Sequence, residues 1–387
     1  MSLFGTKRVY LDYAGATPLC RDALRAMSAA HCVGNPGAIH TEGVEAKRSL
    51  ELSRERIARF LECKPRELIF TSGATEANNL ALVGYARRLA LIRGGLSGTR
   101  WIVASIEHPS VLDSFSEIER MGGEVIYIEP DTDGTIAPAA LEKKLTKEVV
   151  CVSVGWGNGE IGTLQPITKL SRVIRGYEKA HGTIILLHSD AGQAPLYEKT
   201  TVHSLGVDLL TLDSAKLYGP HGIGTLYMSN RAALSKILFG GSQERGLRPG
   251  TENVALAAGF AAALDHIAQV RDSEAKRLRL LRDELARTIE KNIPDIVING
   301  DIRNALPHIL NISIPNIQSE YLVLSLDHKG FALSTKSACR EGEESESHVV
   351  KALSGDPWRA RNTLRISLGE STLRRDTVRL AGALSVL

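Results

Sequence analysis

The residues of this chain best suited to chemistry are a lysine and an aspartate that each close an apolar run. Lys216 follows LLTLDSA and precedes a Gly-Pro turn, and Asp190 closes TIILLHSD, 26 residues earlier. A lysine amine condenses with aldehydes to form Schiff bases. A carboxylate at the end of an apolar strand is costly unless a partner meets it. A protonated pyridine nitrogen is such a partner, and pyridoxal phosphate calls for both the lysine and the acid. For each residue alone a plainer alternative stands: Asp190 as a helix N-cap or turn acid, Lys216 as one of many lysines that follow strands. His108 closes RWIVASIEH, where an imidazole could stack on a flat ring and move protons near neutral pH. Asn158 closes VVCVSVGWGN, and Gln193 lies three residues after Asp190. Four groups on successive strand ends carry more weight together than any one of them.

Other segments could serve the same ligand. SGATEANN (72–79) is a small-residue turn that opens a helix, so the N–H groups at Ala74 and Thr75 favour a phosphate, or form an ordinary strand-to-helix turn. The polar, glycine-rich GGSQERGLRPGTEN (240–253) could offer Thr251 to a phosphate or make a subunit contact. Arg365 is either a bidentate clamp for a carboxylate or a salt-bridged strand residue. Cys339 lies in the polar stretch TKSACREGEES, which suits a mobile segment.

The elements around these residues point to one architecture. Strands are expected over 101–108, 124–130, 149–158, 183–191, 207–214 and 222–229, with helical patterns between some of them. Strands without alternation, spaced by helices, imply a mainly parallel sheet covered on both faces. Ligands of such sheets bind beyond the carboxyl ends of the strands, where these residues fall. A long helix over 254–292 leads into shorter strand-like pieces, an α+β region. The expected division is an N-terminal arm over 1–20, a large domain over 21–260 and a small domain over 261–387 that carries the Cys339 loop.

Composition narrows the function classes. The 387 residues carry a formal charge of +3, with basic residues scattered, which argues against a nucleic-acid or membrane surface. Five cysteines without a CxxC pair indicate neither a disulfide framework nor a zinc site. The start MSLFGTKRVYLDYAG runs straight into a strand and turn, so a reducing cytoplasm is the expected setting.

Ten segments in order resemble the cysteine desulfurases of the NifS/IscS type, class-V, fold-type-I pyridoxal-phosphate enzymes. They are LDYAGATPL (11–19), GNPGAIHTEG (34–43), FTSGATEANN (70–79), EHPSVL (107–112), NGEIGTLQPI (158–167), HSDAGQ (188–193), KLYGPHGIG (216–224), GGSQERGLRPGTEN (240–253), SACREG (337–342) and RISLG (365–369). The resemblance covers essentially the whole chain. It implies an α/β fold with a mainly parallel seven-stranded sheet and a smaller α+β domain. It implies that Lys216 carries the cofactor and later moves the substrate's alpha proton, that Asp190 pairs with the pyridine nitrogen, and that His108 stacks on the ring. Gln193 and Asn158 would sit near the ring hydroxyl. Ala74 and Thr75 would bind the phosphate, with Thr251 donated by the second subunit of a homodimer. Asn35 and Arg365 would hold the substrate carboxylate. Cys339 would take the sulfur of L-cysteine as a persulfide while alanine leaves. A sulfur acceptor such as an iron–sulfur scaffold or a tRNA-thiolation carrier is implied, without direct nucleic-acid or membrane binding.

The chain departs from that pattern around its lysine. Asp213 stands where the family has a phosphate-binding serine, and Ala215 where it has a histidine. An ionised aspartate beside a phosphate is unfavourable. The side chain is therefore turned away with Ser214 or backbone N–H groups substituting, or protonated, or the phosphate grip is weaker. Gly159 replaces the second residue of an Asn-Asn pair, and Thr335-Lys336 replaces smaller residues. The competing expectations are a related lyase or aminotransferase, and a non-catalytic paralogue acting as a binding partner.

Overall fold

The computed structural model describes residues 8–30, 34–335 and 346–386. Its strands are β1 Val9–Tyr10, β2 Leu68–Thr71, β3 Arg100–Ala104, β4 Glu124–Ile128, β5 Val149–Ser153, β6 Leu186–Asp190, β7 Leu209–Asp213, β8 Gly224–Met228, β9 Val297–Ile298, β10 Ile309–Ser313, β11 Phe331–Ala332 and β12 Thr363–Ser367. Seven of them form one sheet of order β2-β8-β7-β6-β5-β3-β4. β3 to β7 run parallel, and β8 is antiparallel to both of its neighbours. The mainly parallel seven-stranded sheet expected from the resemblance is therefore present.

The lack of alternation in these strands has a direct cause: both faces are covered. Leu186 and Leu209 point into one apolar layer with Leu80, Val111 and Phe115. The next residues along, Leu187 and Leu210, point into a second layer with Ile57, Leu170 and Phe260. Successive side chains of a pleated strand face opposite sides, so every position is buried by one layer or the other.

All six expected strands are shorter than the sequence pattern suggests, and two of them lose the most at their carboxyl ends. β3 stops at Ala104 because His108 caps the helix Pro109–Arg120, with proline in its first turn. β5 stops at Ser153 because the chain then turns: Asn158 Oδ1 accepts the N–H groups of Glu160 at 2.8 Å and Ile161 at 3.0 Å. The helix Val254–Asn292 matches its expected span and leads to a three-stranded antiparallel sheet of order β12-β10-β9. β1 pairs in parallel with β11, and Asp12 bridges to Ser367 at the end of β12. The beginning of the chain is thus stitched onto its last third. Among the described residues, no helix is long and apolar enough to cross a membrane, and no cluster of His, Cys, Asp or Glu could hold a metal ion.

Candidate active site

A cleft opens at the carboxyl ends of β3, β5, β6 and β7, where a mainly parallel sheet places ligands. Its inner part, about 520 Å³, is lined by His108, Asn158, Asp190, Gln193 and Lys216. Its outer part adds Ala14, Gly15, His348 and Arg365. The fold thus brings six of the expected site residues together.

Asp190 and Lys216 both approach Gly192. A methyl group there would lie 3.2 Å from Asp190 Oδ1 and 3.9 Å from Lys216 Nζ, so glycine lets the acid and the lysine share one side of the turn. Asp190 Oδ1 accepts the Gly192 N–H at 2.9 Å, and Oδ2 accepts the Asn78 amide at 2.8 Å. Burial pushes this carboxyl up, but Lys216, Asn78, His108 and Gly192 together hold it below the usual aspartate range. It is a carboxylate in need of a cationic partner. Its second ligand, Asn78, is a residue that sequence reasoning missed. The signal was present, because Asn78 lies one helical turn beyond Ala74 on the helix Ala74–Arg93.

From Asn78 a chain of hydrogen bonds runs to His108. The Asn78 amide also donates to Ser110 Oγ at 2.9 Å, and that hydroxyl lies 2.8 Å from His108 Nδ1. The Ser110 N–H donates to the same nitrogen at 3.1 Å. Nδ1 is therefore an acceptor, and the ring proton sits on Nε2. Burial, then Lys216, pushes the His108 pKa down to about 4 despite the opposing Asp190 charge. The expectation that His108 titrates near neutral pH gives way to a neutral imidazole with a fixed tautomer.

Gln193 is held from both sides: its amide donates to Ala14 O at 2.7 Å, and its oxygen accepts from His308 Nε2 at 3.3 Å. Asn158 donates to Ile106 O at 3.0 Å. Arg365, 3% exposed, donates to Gly159 O at 3.0 Å and to Asp12 Oδ1 at 2.8 Å. Glu107, also missed, is buried in the cleft wall; it accepts the Gly155 N–H at 2.5 Å, and burial pushes its pKa up to about 8. A charged residue closing an apolar strand was its only signal.

The remaining expected residues lie elsewhere. Ala74 and Thr75 open their helix behind Gly73, which gives it no side-chain cap. Asp213, across β8 from that start through Gly224, spends Oδ1 on the Ala215 N–H at 3.1 Å. Its side chain thus caps the turn that carries Lys216. Ser214 does not line the cleft. Its Oγ is buried without a partner among the described residues, under Gly219, where a methyl group would come within 2.2 Å of it. As a substitute phosphate ligand it is misplaced, because the 214–216 turn directs it inward. Asn35 is exposed and does not line the cleft of its own chain; its Oδ1 accepts the Gly37 N–H at 2.9 Å. Thr251 is exposed too, in a loop anchored by the buried Arg54–Glu244 pair at 2.6 Å and by Arg248–Glu76 at 3.0 Å. Cys339 lies outside the described residues. The segments on either side of it border the cleft: Ser334 bridges to Arg365, and Ser347 Oγ donates to Glu160 Oε2 at 2.6 Å.

The sequence signature of the family "Aminotransferase class-V" matches residues 9–380. The chain is 37% identical over 372 residues to the cysteine desulfurase IscS of Dictyoglomus turgidum, covering 96% of this chain and 92% of that protein. Among solved structures, a NifS-like protein superimposes with a TM-score of 0.89 at 29% identity, covering 98% of both chains. SspA in complex with cysteine gives a TM-score of 0.79 at 31% identity, covering 94% of this chain and 99% of that one.

Proposed function

Because the chain belongs to the class-V aminotransferase family and, within it, to the cysteine desulfurases, we propose that it converts L-cysteine to L-alanine and keeps the sulfur as a persulfide on Cys339. The observation that carries this reading is the placement of Lys216 and an ionised Asp190 side by side against Gly192, with the neutral His108 ring in the same cleft.

The residues fit pyridoxal phosphate. Asp190 keeps its charge although burial opposes it, as a protonated ring nitrogen requires. The helix start at Ala74 and Thr75, uncapped by Gly73, suits the phosphate. Exposure of Thr251 on an anchored loop supports its use by the second subunit of a homodimer, and Asn35 is open to a similar role. When bound, the cofactor supplies an electron-withdrawing ring that acidifies the substrate's alpha carbon. Lys216 Nζ would hold the cofactor and then carry the alpha proton. His108, with its Nε2–H fixed as a donor, would lie against the ring. Arg365 fixes the substrate carboxylate.

The nucleophile is Cys339. The described thiols are poor candidates: burial pushes Cys20 up, Cys63 up to about 12, and Cys151 well above the ordinary thiol value. The persulfide on Cys339 would then pass to a sulfur-acceptor protein. Alanine and persulfide from L-cysteine are the measurement. The wild type is expected to form both, and Cys339→Ser to form no persulfide. If the wild type releases no alanine, or the variant forms persulfide equally well, the reading fails.

A further inference from the structure

The carboxylate site has a second member that the substrate would not touch. Arg365 is buried in β12, with Nη1 bound to Gly159 O and Nη2 to Asp12 Oδ1. Its Nε–H is buried and has no partner among the described residues. Buried donors are rarely left unmatched, so the orphan marks where an acceptor is wanted. Asp12 is itself locked in place. Its carbonyl accepts the N–H groups of Gly15 at 3.0 Å and Ala16 at 3.3 Å and the Tyr10 hydroxyl at 3.0 Å. A methyl group on Gly15 would come within 2.6 Å of Asp12 Oδ2. The Asp12 carboxylate therefore occupies its place because residue 15 has no side chain.

We propose that Asp12 positions the Arg365 guanidinium and sets the charge of the carboxylate site, which favours an amino acid with one net-negative group over one with an acidic side chain. The proposal rests on the reading of Arg365 as the substrate-carboxylate clamp. A buried guanidinium alone would draw any anion, and a dianion most strongly. With Asp12 at 2.8 Å the pair is neutral, so a ligand is held by hydrogen-bond geometry rather than by net charge. A second acidic group on the ligand then meets the Asp12 charge uncompensated. L-Cysteine, with its neutral thiol, meets no such opposition.

Charge and position can be separated with two variants. Asp12→Asn removes the charge and keeps the shape. Gly15→Ala keeps the charge and displaces it. Calorimetric binding of propionate and succinate to the holoenzyme, alongside alanine release, reads both. In Asp12→Asn, succinate is expected to gain about tenfold in affinity relative to propionate, because removing one negative charge favours the dianion more. In Gly15→Ala the ratio of the two ligands is expected to stay as in the wild type. Both ligands should weaken there, and kcat should fall about tenfold, since a misplaced guanidinium no longer aligns substrate. A succinate-to-propionate ratio unchanged in Asp12→Asn overturns the proposal, as does Gly15→Ala with wild-type binding and kcat. Arg365→Gln tests the underlying reading: if it binds propionate like the wild type, Arg365 is not the clamp. If it loses propionate while Asp12→Asn keeps the wild-type ratio, only the role of Asp12 falls. None of these binding measurements depends on desulfurase turnover.

Discussion

The two ends of the central sheet both carry buried acids, and they treat them oppositely. At the amino ends of the strands, Asp208 accepts from Arg175 at 2.6 Å, from Arg231 at 3.1 Å and from the Leu187 N–H at 2.9 Å. Neighbouring Glu178 shares both arginines and takes the Ile185 N–H at 2.7 Å. At the carboxyl ends, Asp190 has two amide donors and no ion pair among the described residues. Lys216 stands near it without closing on it. Charges matched on all sides hold a fold together, whereas a charge left partly matched in a cleft is kept for a ligand.

Breaking this contrast most severely means removing Lys216. Lys216→Ala is expected to lower alanine release by at least about a thousandfold and to abolish the visible absorbance of bound cofactor. Its thermal midpoint without cofactor should stay close to that of the wild type. The opposite end predicts the reverse pattern. Asp208→Ala leaves Arg175 and Arg231 to Glu178 alone and the Leu187 N–H without its acceptor, and is expected to cost about 3 kcal/mol, read by chemical denaturation. The variant that remains folded should keep its kcat. If Asp208→Ala lowers kcat without lowering stability, the division between the two ends is wrong. A milder test is His108→Asn. Asparagine is a good N-cap and can still accept the Ser110 N–H, so the helix Pro109–Arg120 should keep its start. Alanine release is expected to fall about a hundredfold with stability little changed.

The sequence exposed the parts of this molecule whose signals are local. Each buried strand is a short apolar run closed by a polar residue, so β6 and β7 announced themselves together with Asp190 and Lys216. What it hid is set by pairing across the chain. Nothing near Asp12 indicates that it meets Arg365, because the contact exists only once β1 joins β11 and Asp12 meets Ser367. The link from His108 to Asp190 was equally hidden, since it depends on Asn78 reaching both Ser110 and Asp190 from another helix. Ser214 shows the converse error: a hydroxyl next to the lysine in sequence faces the interior because a tight turn decides its direction. Asp213 was legible as an anomaly, but its use as the cap of that turn was not.

Glu107 offers the finest test of the contrast, because it is a buried acid of the cleft that keeps its proton. Its pKa rises from an ordinary carboxyl value to about 8 through burial, which the Gly155 N–H opposes and to which the Asp190 charge adds. Between those values the unfolded chain has lost the proton and the folded chain retains it, so stability falls as pH rises. The loss begins above the unfolded value and is complete once pH passes about 8, with a slope of at most about 1.4 kcal/mol per pH unit. Glu107→Gln keeps an oxygen for the Gly155 N–H and removes the titration. The difference in unfolding midpoint between variant and wild type should therefore grow in favour of the variant from pH 5 to pH 8. A difference that stays flat over that range would place an ionised Glu107 in the cleft wall beside Asp190. The inner cleft would then carry two negative charges, and a single cationic ring nitrogen would no longer balance it.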